Sequence, residues 1–465
     1  MGEAFGVSGF ERNEVSETMA VTRRTVLTAA GGVGVLAAGA GVTRLAVAGA
    51  EGDRNLPSGE PLMTFASLPD FFNGDVADLS VLPNWDQGLN SVNAYWMTAI
   101  DTCLGAVAAH NPDAVFLAGD LVEGRWNLDS DNRQLFGPVD QHAHPEAIAQ
   151  CKSAITKAGN VYYSFHAKLF TDRNLTVYPL IGDHEILDDR RGPLNDRWSP
   201  SGHTKGMPDN RYYLVNHCKD VWANHFTRPG GQARFDRRPR GLASEFTAYS
   251  KSFGDHLTLI AVDMFHHHKE GVRLGVFEGQ LRWLRDEVRR AKARGHYVIV
   301  QGHIPTLVPT RWLHSGRLSV PERRESSFYK LLDREGVDLY LCGEVHDATM
   351  LQRGPGEPIQ ISHGCIFRYG FNYLVGRLYP DHQLVIDLYQ VPLVKASTDK
   401  GLWSADFRKR QRTYIEYSSS PVHQGRMVSK RGRNVVERTA KLGPYHPQHD
   451  PYAYAGHTGT QMIQL

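Results

Sequence analysis

The chain has 465 residues, 41% of them apolar and 22% charged, with a formal net charge of +2. That length buries a large core and leaves room for two or three domains, or for one large domain with extensions. The balance excludes a disordered chain and gives no sign of general polyanion binding.

The first fifty residues stand apart. In "VTRRTVLTAAGGVGVLAAGAGVTRLAVAGAEG", Arg23 and Arg24 precede a weakly apolar Gly/Ala-rich run that closes on Ala48-Gly49-Ala50, a small-residue cleavage pattern. Residues 1–50 resemble a twin-arginine export signal, with Met19 as an alternative start because residues 1–18 are acidic. Arg44 and the many glycines make the run a poor permanent membrane span, so none is expected in the mature chain. The expected location is therefore extracellular or in the cell envelope. Five cysteines, odd in number and without C-x-x-C spacing, name no disulfide.

After a Gly/Pro/Glu linker at 51–60, "PLMTFASLPD" reads as a buried strand and "NAYWMTAIDTCLGAVAAHNPD" as a helix, followed by the strand "DAVFLAGD". "HPEAIAQCKSAITKAG" is a second helix and "LTVYPLIGDHE" a third strand. Residues 189–245, rich in Arg, Pro, Gly and Asn, read as a long insertion around one short helix, "YYLVNHCKDVWANHF". Strands return in "HLTLIAVDMF", "HYVIVQGH" and "VDLYLCGEVH", separated by the amphipathic helices "FEGQLRWLRDEVRRAKARG" and "ESSFYKLLDREG". "DMFHHHKEG" reads as a surface loop that could rim a pocket, and the stretch from "IQISHGC" to "HQLVIDLYQV" alternates like an antiparallel sheet. Alternating strands and helices imply a layered α/β or α+β core. Residues 396–465 carry eleven Lys/Arg against five Asp/Glu and read as a basic C-terminal extension. They are either a solvated wrap over the core or an adhesive patch for anionic cell-envelope polymers.

The chemistry collects at the strand ends. "SLPDFF" supplies Asp70, "LAGDLVE" Asp120 and Glu123, "LIGDHEI" Asp183, His184 and Glu185, "VQGHIP" His303, and "LCGEVH" Glu344 and His346. Five apolar strands thus end in Asp, Glu or His, four with a Gly immediately before. Strand carboxyl ends form the ligand crevice of α/β sheets, and glycine there lets backbone and ligand approach closely. One such turn alone is equally a helix N-cap with favourable acidic residues. Five in this order are not explained that way.

The order and residue types resemble the calcineurin-like metallophosphoesterase superfamily over residues 61–395. Its pattern is Asp-x-His, Gly-Asp-x-x-Asp/Glu, Gly-Asn-His-Asp/Glu, Gly-His and Gly-His-x-His. The resemblance implies a four-layer α/β/β/α sandwich holding two divalent or trivalent metal ions, with Mn, Fe or Zn as the choices. Carried onto this sequence, Asp120 would bridge the two metals, Asp70 and His346 would bind the first, and Asp183, His303 and Glu344 the second. His184 would protonate the leaving oxygen with Glu185 orienting its ring, while a hydroxide held between the metals attacks phosphorus. Arg190 and His363 are candidates for the substrate side of the site.

Three positions depart from the pattern: Phe72 replaces the His of Asp-x-His, Asp183 replaces Asn, and Glu344 replaces the first His of Gly-His-x-His. Asp70, Asp120, Asp183 and Glu344 bring four negative charges, which two divalent ions only cancel. Such a site favours oxygen-seeking cations, Mn or Fe over Zn, and singly charged phosphodiesters over doubly charged monoesters. The expected function is an exported hydrolase of small-molecule or polymer phosphoesters. Its rivals are an acid-phosphatase-like phosphomonoesterase, against which Glu123 stands where that group has a metal-binding Tyr, and a non-catalytic envelope-binding protein on the same fold.

Overall fold

The computed structural model describes residues 57–68, 70, 94–122, 124, 126, 134, 136–140, 142–186, 211–268, 271–307, 318–346, 348–364, 370–396, 415–440 and 461–464. The export signal, Phe72, Glu123, Arg190 and the first part of the 189–245 segment lie outside the described residues.

In chain order the elements are β1 (Met63–Leu68), α1 (Ala94–Ala108), β2 (Ala114–Leu117), α2 (Pro145–Thr171), β3 (Val177–Pro179), α3 (Arg211–Phe226), β4 (Tyr249–Phe253), β5 (Leu257–Ala261), β6 (Phe265–His268) and β7 (Gly271–Leu274). There follow α4 (Glu278–Ala293), β8 (Tyr297–Gln301), α5 (Ser327–Arg334), β9 (Leu339–His346), β10 (Thr349–Gln352), β11 (Ile359–Gly364), β12 (Gly370–Tyr379), β13 (Gln383–Ala396), β14 (Ile415–Tyr417), β15 (Val422–Lys430), β16 (Asn434–Ala440) and β17 (Gln461–Gln464). One sheet has the order β16-β15-β13-β12-β1-β2-β3, with β14 beside β13; the other runs β17-β10-β11-β9-β8-β5-β4. Strands β1, β2 and β3 are mutually parallel, as are β5, β8, β9 and β11.

Period-2 alternation assigns each side chain its layer. Phe65, Phe116, Leu257, Leu259, Tyr297, Ile299, Leu339 and Leu341 share one buried cluster drawn from both sheets. Their chain neighbours Ala66, Val115, Leu117, Ile260, Val298, Val300, Tyr340 and Cys342 join a second cluster together with residues of α1 to α5. The sheets therefore face each other across the first cluster, and helices cover their outer faces. This is the α/β/β/α layering expected from the sequence.

Local signals start the helices. The side chain of His144 caps α2 through the Ala147 amide, with Pro145 in its first turn, and Ser326 caps α5 through the Tyr329 amide.

Three segments differ from expectation. The described part of the 189–245 segment is no peripheral insertion, because α3 buries Leu214, Val215, Cys218, Val221, Trp222 and Phe226 in the outer core against α2. Within "DMFHHHKEG" and the residues after it, β6 and β7 pair antiparallel rather than forming a loop. In the basic segment, β15 pairs with β13 and carries Met427 into the layer between the sheets, while Arg426 and Arg433 make internal hydrogen bonds. β15 lies between β13 and β16, yet it carries few apolar residues, so composition alone conceals it. Cys103, Cys218 and Cys342 are buried free thiols, the buried Cys151 thiol donates to the Asp140 carbonyl, and no described helix is long and apolar enough to cross a membrane.

Candidate metal centre

Parallel strands of both sheets end on the same side, and there four chain segments converge. Asp120 follows β2, Asp183 follows β3, His303 follows β8, and Glu344 lies inside β9. One ligand atom from each falls within 4.8 Å of the others, and all four side chains are buried. The centre of the group is His303 Nε2, which lies 2.8 Å from Asp183 Oδ1, 3.4 Å from Asp120 Oδ2 and 3.8 Å from Glu344 Oε2. The other ring nitrogen, Nδ1, is 2.6 Å from the Ala118 carbonyl oxygen. A carbonyl only accepts, so Nδ1 donates and Nε2 is left as the ligand atom, the arrangement that orients metal-binding imidazoles. Asp70 stands beside this group, its Oδ1 3.9 Å from His303 Nδ1.

Glycines make the convergence possible. A Cβ at Gly182 would strike Asp120, and one at Gly343 would meet Asp70, the Ala118 carbonyl and the His303 ring. Two ligands also adopt left-handed backbone, Asp120 at φ 51° and Glu344 at φ 62°. Glu344 occupies a β-bulge, since the β9–β11 register slips between Ser362 and Gly364. A bulge re-aims one side chain out of the strand's alternation. Strained ligand backbone of this kind persists only where the surroundings hold it.

The electrostatics are those of crowded acids. Burial pushes the Asp70 carboxyl up to about 7. Burial pulls the His303 imidazole down, but Asp120, Asp183 and Asp70 outweigh it and hold the group well above its ordinary value. Three buried carboxylates around one imidazole nitrogen fit a hard divalent cation, which would relieve the uncompensated negative charge.

His184 borders the cluster without joining it. Its Nε2 is 3.9 Å from Asp120 Oδ2 and 4.0 Å from Asp183 Oδ2, and its backbone N–H donates to Asp120 Oδ1 at 3.1 Å. Glu185 does not orient the His184 ring as expected. Its Oε2 accepts from the amides of Asp120 (2.9 Å) and Gly182 (2.6 Å), and its Oε1 from the amide of Leu121 (2.5 Å). Both oxygens are engaged by backbone donors. His346 ends β9 and His363 lies in β11, their side chains outside the described residues. Sequence reasoning missed the carbonyl of Ala118 and the amide of Leu318, which donates to Glu344 Oε1 at 3.1 Å. Backbone groups carry no residue signature that could have revealed them.

A buried acid–imidazole cluster at the strand ends of an α/β/β/α sandwich defines a metal-dependent hydrolase. The family model described as calcineurin-like phosphoesterase matches residues 94–348, more than half of the chain, and the chain belongs to that family. It is a phosphoesterase, and the matched span begins after Asp70. Among solved structures, a dimetal phosphatase from Danio rerio is similar at 14% identity and TM-score 0.39, over 70% of this chain and 96% of that one. GAP50, the anchor in the inner membrane complex of Plasmodium, is similar at 11% identity and TM-score 0.33, over 76% of this chain and 88% of that one. No curated protein matches the chain.

Proposed function

We propose that the chain is an exported, dinuclear phosphoesterase that prefers phosphodiesters to phosphomonoesters. The observation that carries this reading is the buried set of three carboxylates and one imidazole drawn from four strand segments. Asp120, Asp183, His303 and Glu344 would hold one cation, and Asp70 and His346, with Asp120, would hold a second. Bound cations supply Lewis acidity and acidify a water; oxygen-rich donors favour Mn or Fe. The chain's own groups do the rest. His184, buried beside Asp120 and Asp183, gives a proton to the leaving oxygen as water's oxygen bonds to phosphorus and the ester P–O bond breaks. Arg190 and His363 are assigned to the substrate side. Four carboxylates would cancel two divalent cations, and the attacking hydroxide would leave the site net negative, which repels a dianionic monoester more than a monoanionic diester. The Arg23-Arg24 pair before an apolar Gly/Ala run supports export by the twin-arginine route.

The test is hydrolysis of a chromogenic phosphodiester beside its monoester by the chain from Glu51 onward, metal-stripped and then titrated with Mn²⁺. Metal-dependent turnover with diester preference is expected. Faster monoester turnover would keep the hydrolase and remove the charge argument, and no turnover with any cation would remove the catalytic reading.

A further inference from the structure

Glu185 carries a job that neither the strand-end pattern nor the metal-ligand geometry assigns. It sits one residue past His184, in the short 3-10 turn His184–Ile186 after β3, and is 1% exposed. Its carboxylate gathers three backbone amides from two loops. Asp120 and Leu121 lie more than sixty residues away in sequence, while Gly182 belongs to its own turn. The amides of Asp120 and Leu121 are consecutive and follow Gly119, at φ 100°, with Asp120 itself left-handed. Successive amides in such a conformation form a concave nest for an anion. Here the anion is the protein's own carboxylate.

A non-glycine residue in left-handed backbone is disfavoured and needs outside support. The Glu185 bonds provide that support at Asp120, the ligand read as common to both cations. The contact is reciprocal, because Asp120 Oδ1 accepts the His184 amide at 3.1 Å, leaving Oδ2 directed at His303 Nε2, 3.4 Å away. Gly182 leaves no side chain between the loops, so the Glu185 carboxylate and the Asp120–His184 bond together set their spacing.

We propose that Glu185 is the positioning residue of the metal centre: one carboxylate fastens the Asp120 loop to the Asp183 loop and thereby sets the affinity for cations. This rests on reading the cluster as a metal centre. Glu185→Gln keeps length but turns an amide donor toward one of the backbone donors. Glu185→Asp keeps charge but is one methylene too short to span both loops. A residue acting through charge alone would be replaced by Asp; a positioning residue would not.

The experiment is Mn²⁺ titration calorimetry and thermal melting of the metal-stripped chain with each substitution. Arg433→Ala serves as a control fastening at the far end of β9. Both Glu185 variants are expected to bind Mn²⁺ about 10–100-fold more weakly, while Arg433→Ala melts earlier but binds normally. Hydrogen exchange on the metal-free parent chain adds a readout independent of any variant, with the amides of Asp120 and Leu121 expected to be protected. Wild-type Mn²⁺ affinity in either folded Glu185 variant, or rapid exchange at those two amides, would overturn the proposal while leaving the metal centre intact. If the parent chain itself takes up no Mn²⁺, the metal-centre reading fails and this inference with it.

Discussion

His184 is held without being spent as a ligand. Its backbone N–H is bonded to Asp120, and its Nε2, 3.9 Å from Asp120 Oδ2 and 4.0 Å from Asp183 Oδ2, stands outside the group of four mutually close ligand atoms. That placement suits a proton donor at the edge of a cation pair. Replacing His184 with Ala removes the ring but no cluster ligand, so the variant should fold and retain its metal while kcat falls by about 10²–10⁴-fold. Metal analysis alongside steady-state kinetics separates the outcomes. Loss of bound metal together with activity would place the ring inside the coordination set. The residue scale also explains the glycines: Gly182 and Gly343 are short because another chain segment occupies the space where their side chains would be.

At the scale of elements, the C-terminal hairpin is a fastening. Arg433, in the turn between β15 and β16, reaches across to the second sheet's layer. Its guanidinium donates to the carbonyls of Leu332 (2.6 Å), Val337 (2.6 Å) and Gly356 (2.8 Å), and to the backbone and side chain of Asp333 (both 3.1 Å). Leu332 and Asp333 belong to the last turn of α5, and their carbonyls also accept from the Val337 and Gly336 amides. Arg433→Ala removes all five of these hydrogen bonds and should destabilise the chain by about 2–4 kcal/mol, measured by denaturant unfolding. A change below about 0.5 kcal/mol would mean that water replaces the guanidinium without cost. A comparable tie works on α3, where buried Lys219 donates to Asp263 Oδ2 at 2.6 Å and to the Phe265 carbonyl at 2.5 Å. That pair anchors the helix to the start of β6, near the cluster end of the molecule.

For the whole molecule, buried titratable groups away from the centre set the acid limb of stability. His166 is fully buried in α2, and burial pulls its imidazole down to about 4; burial likewise pulls His110 down to about 4. A depressed folded-state value means the unfolded chain binds these protons more readily. Their contribution is therefore present above about pH 6.5 and is lost as pH falls toward 4. For His166 the difference is about 3 kcal/mol at most. A lower window belongs to Asp387. Burial raises its carboxyl, but His423, Arg426 and Arg377 outweigh this and hold it at about 2, so its contribution is lost only between about pH 4 and 2. Denaturation midpoints should fall between pH 7 and 4.5, and His166→Leu should flatten that slope. An unchanged slope in the variant would assign the limb to other groups.

The sequence by itself determined the layered α/β core and the converging strand ends. Apolar runs of period two and helical stripes of period 3.6 are local consequences of burial, and a Gly before an acid or imidazole marks where backbone must approach backbone. Asp120, Asp183, His303 and Glu344 were legible for that reason, each closing or interrupting an apolar run. Only the tertiary structure decided how those residues are held. The Ala118 carbonyl fixes the His303 tautomer, and the Glu185 carboxylate binds amides rather than an imidazole. Neither is written in residue types, because backbone donors and acceptors are the same at almost every position. Nor did composition reveal that α3 completes the outer core or that β15 joins the first sheet. Whether a polar-looking segment packs inside depends on what the rest of the chain sets against it, and that is a property of the fold rather than of the segment.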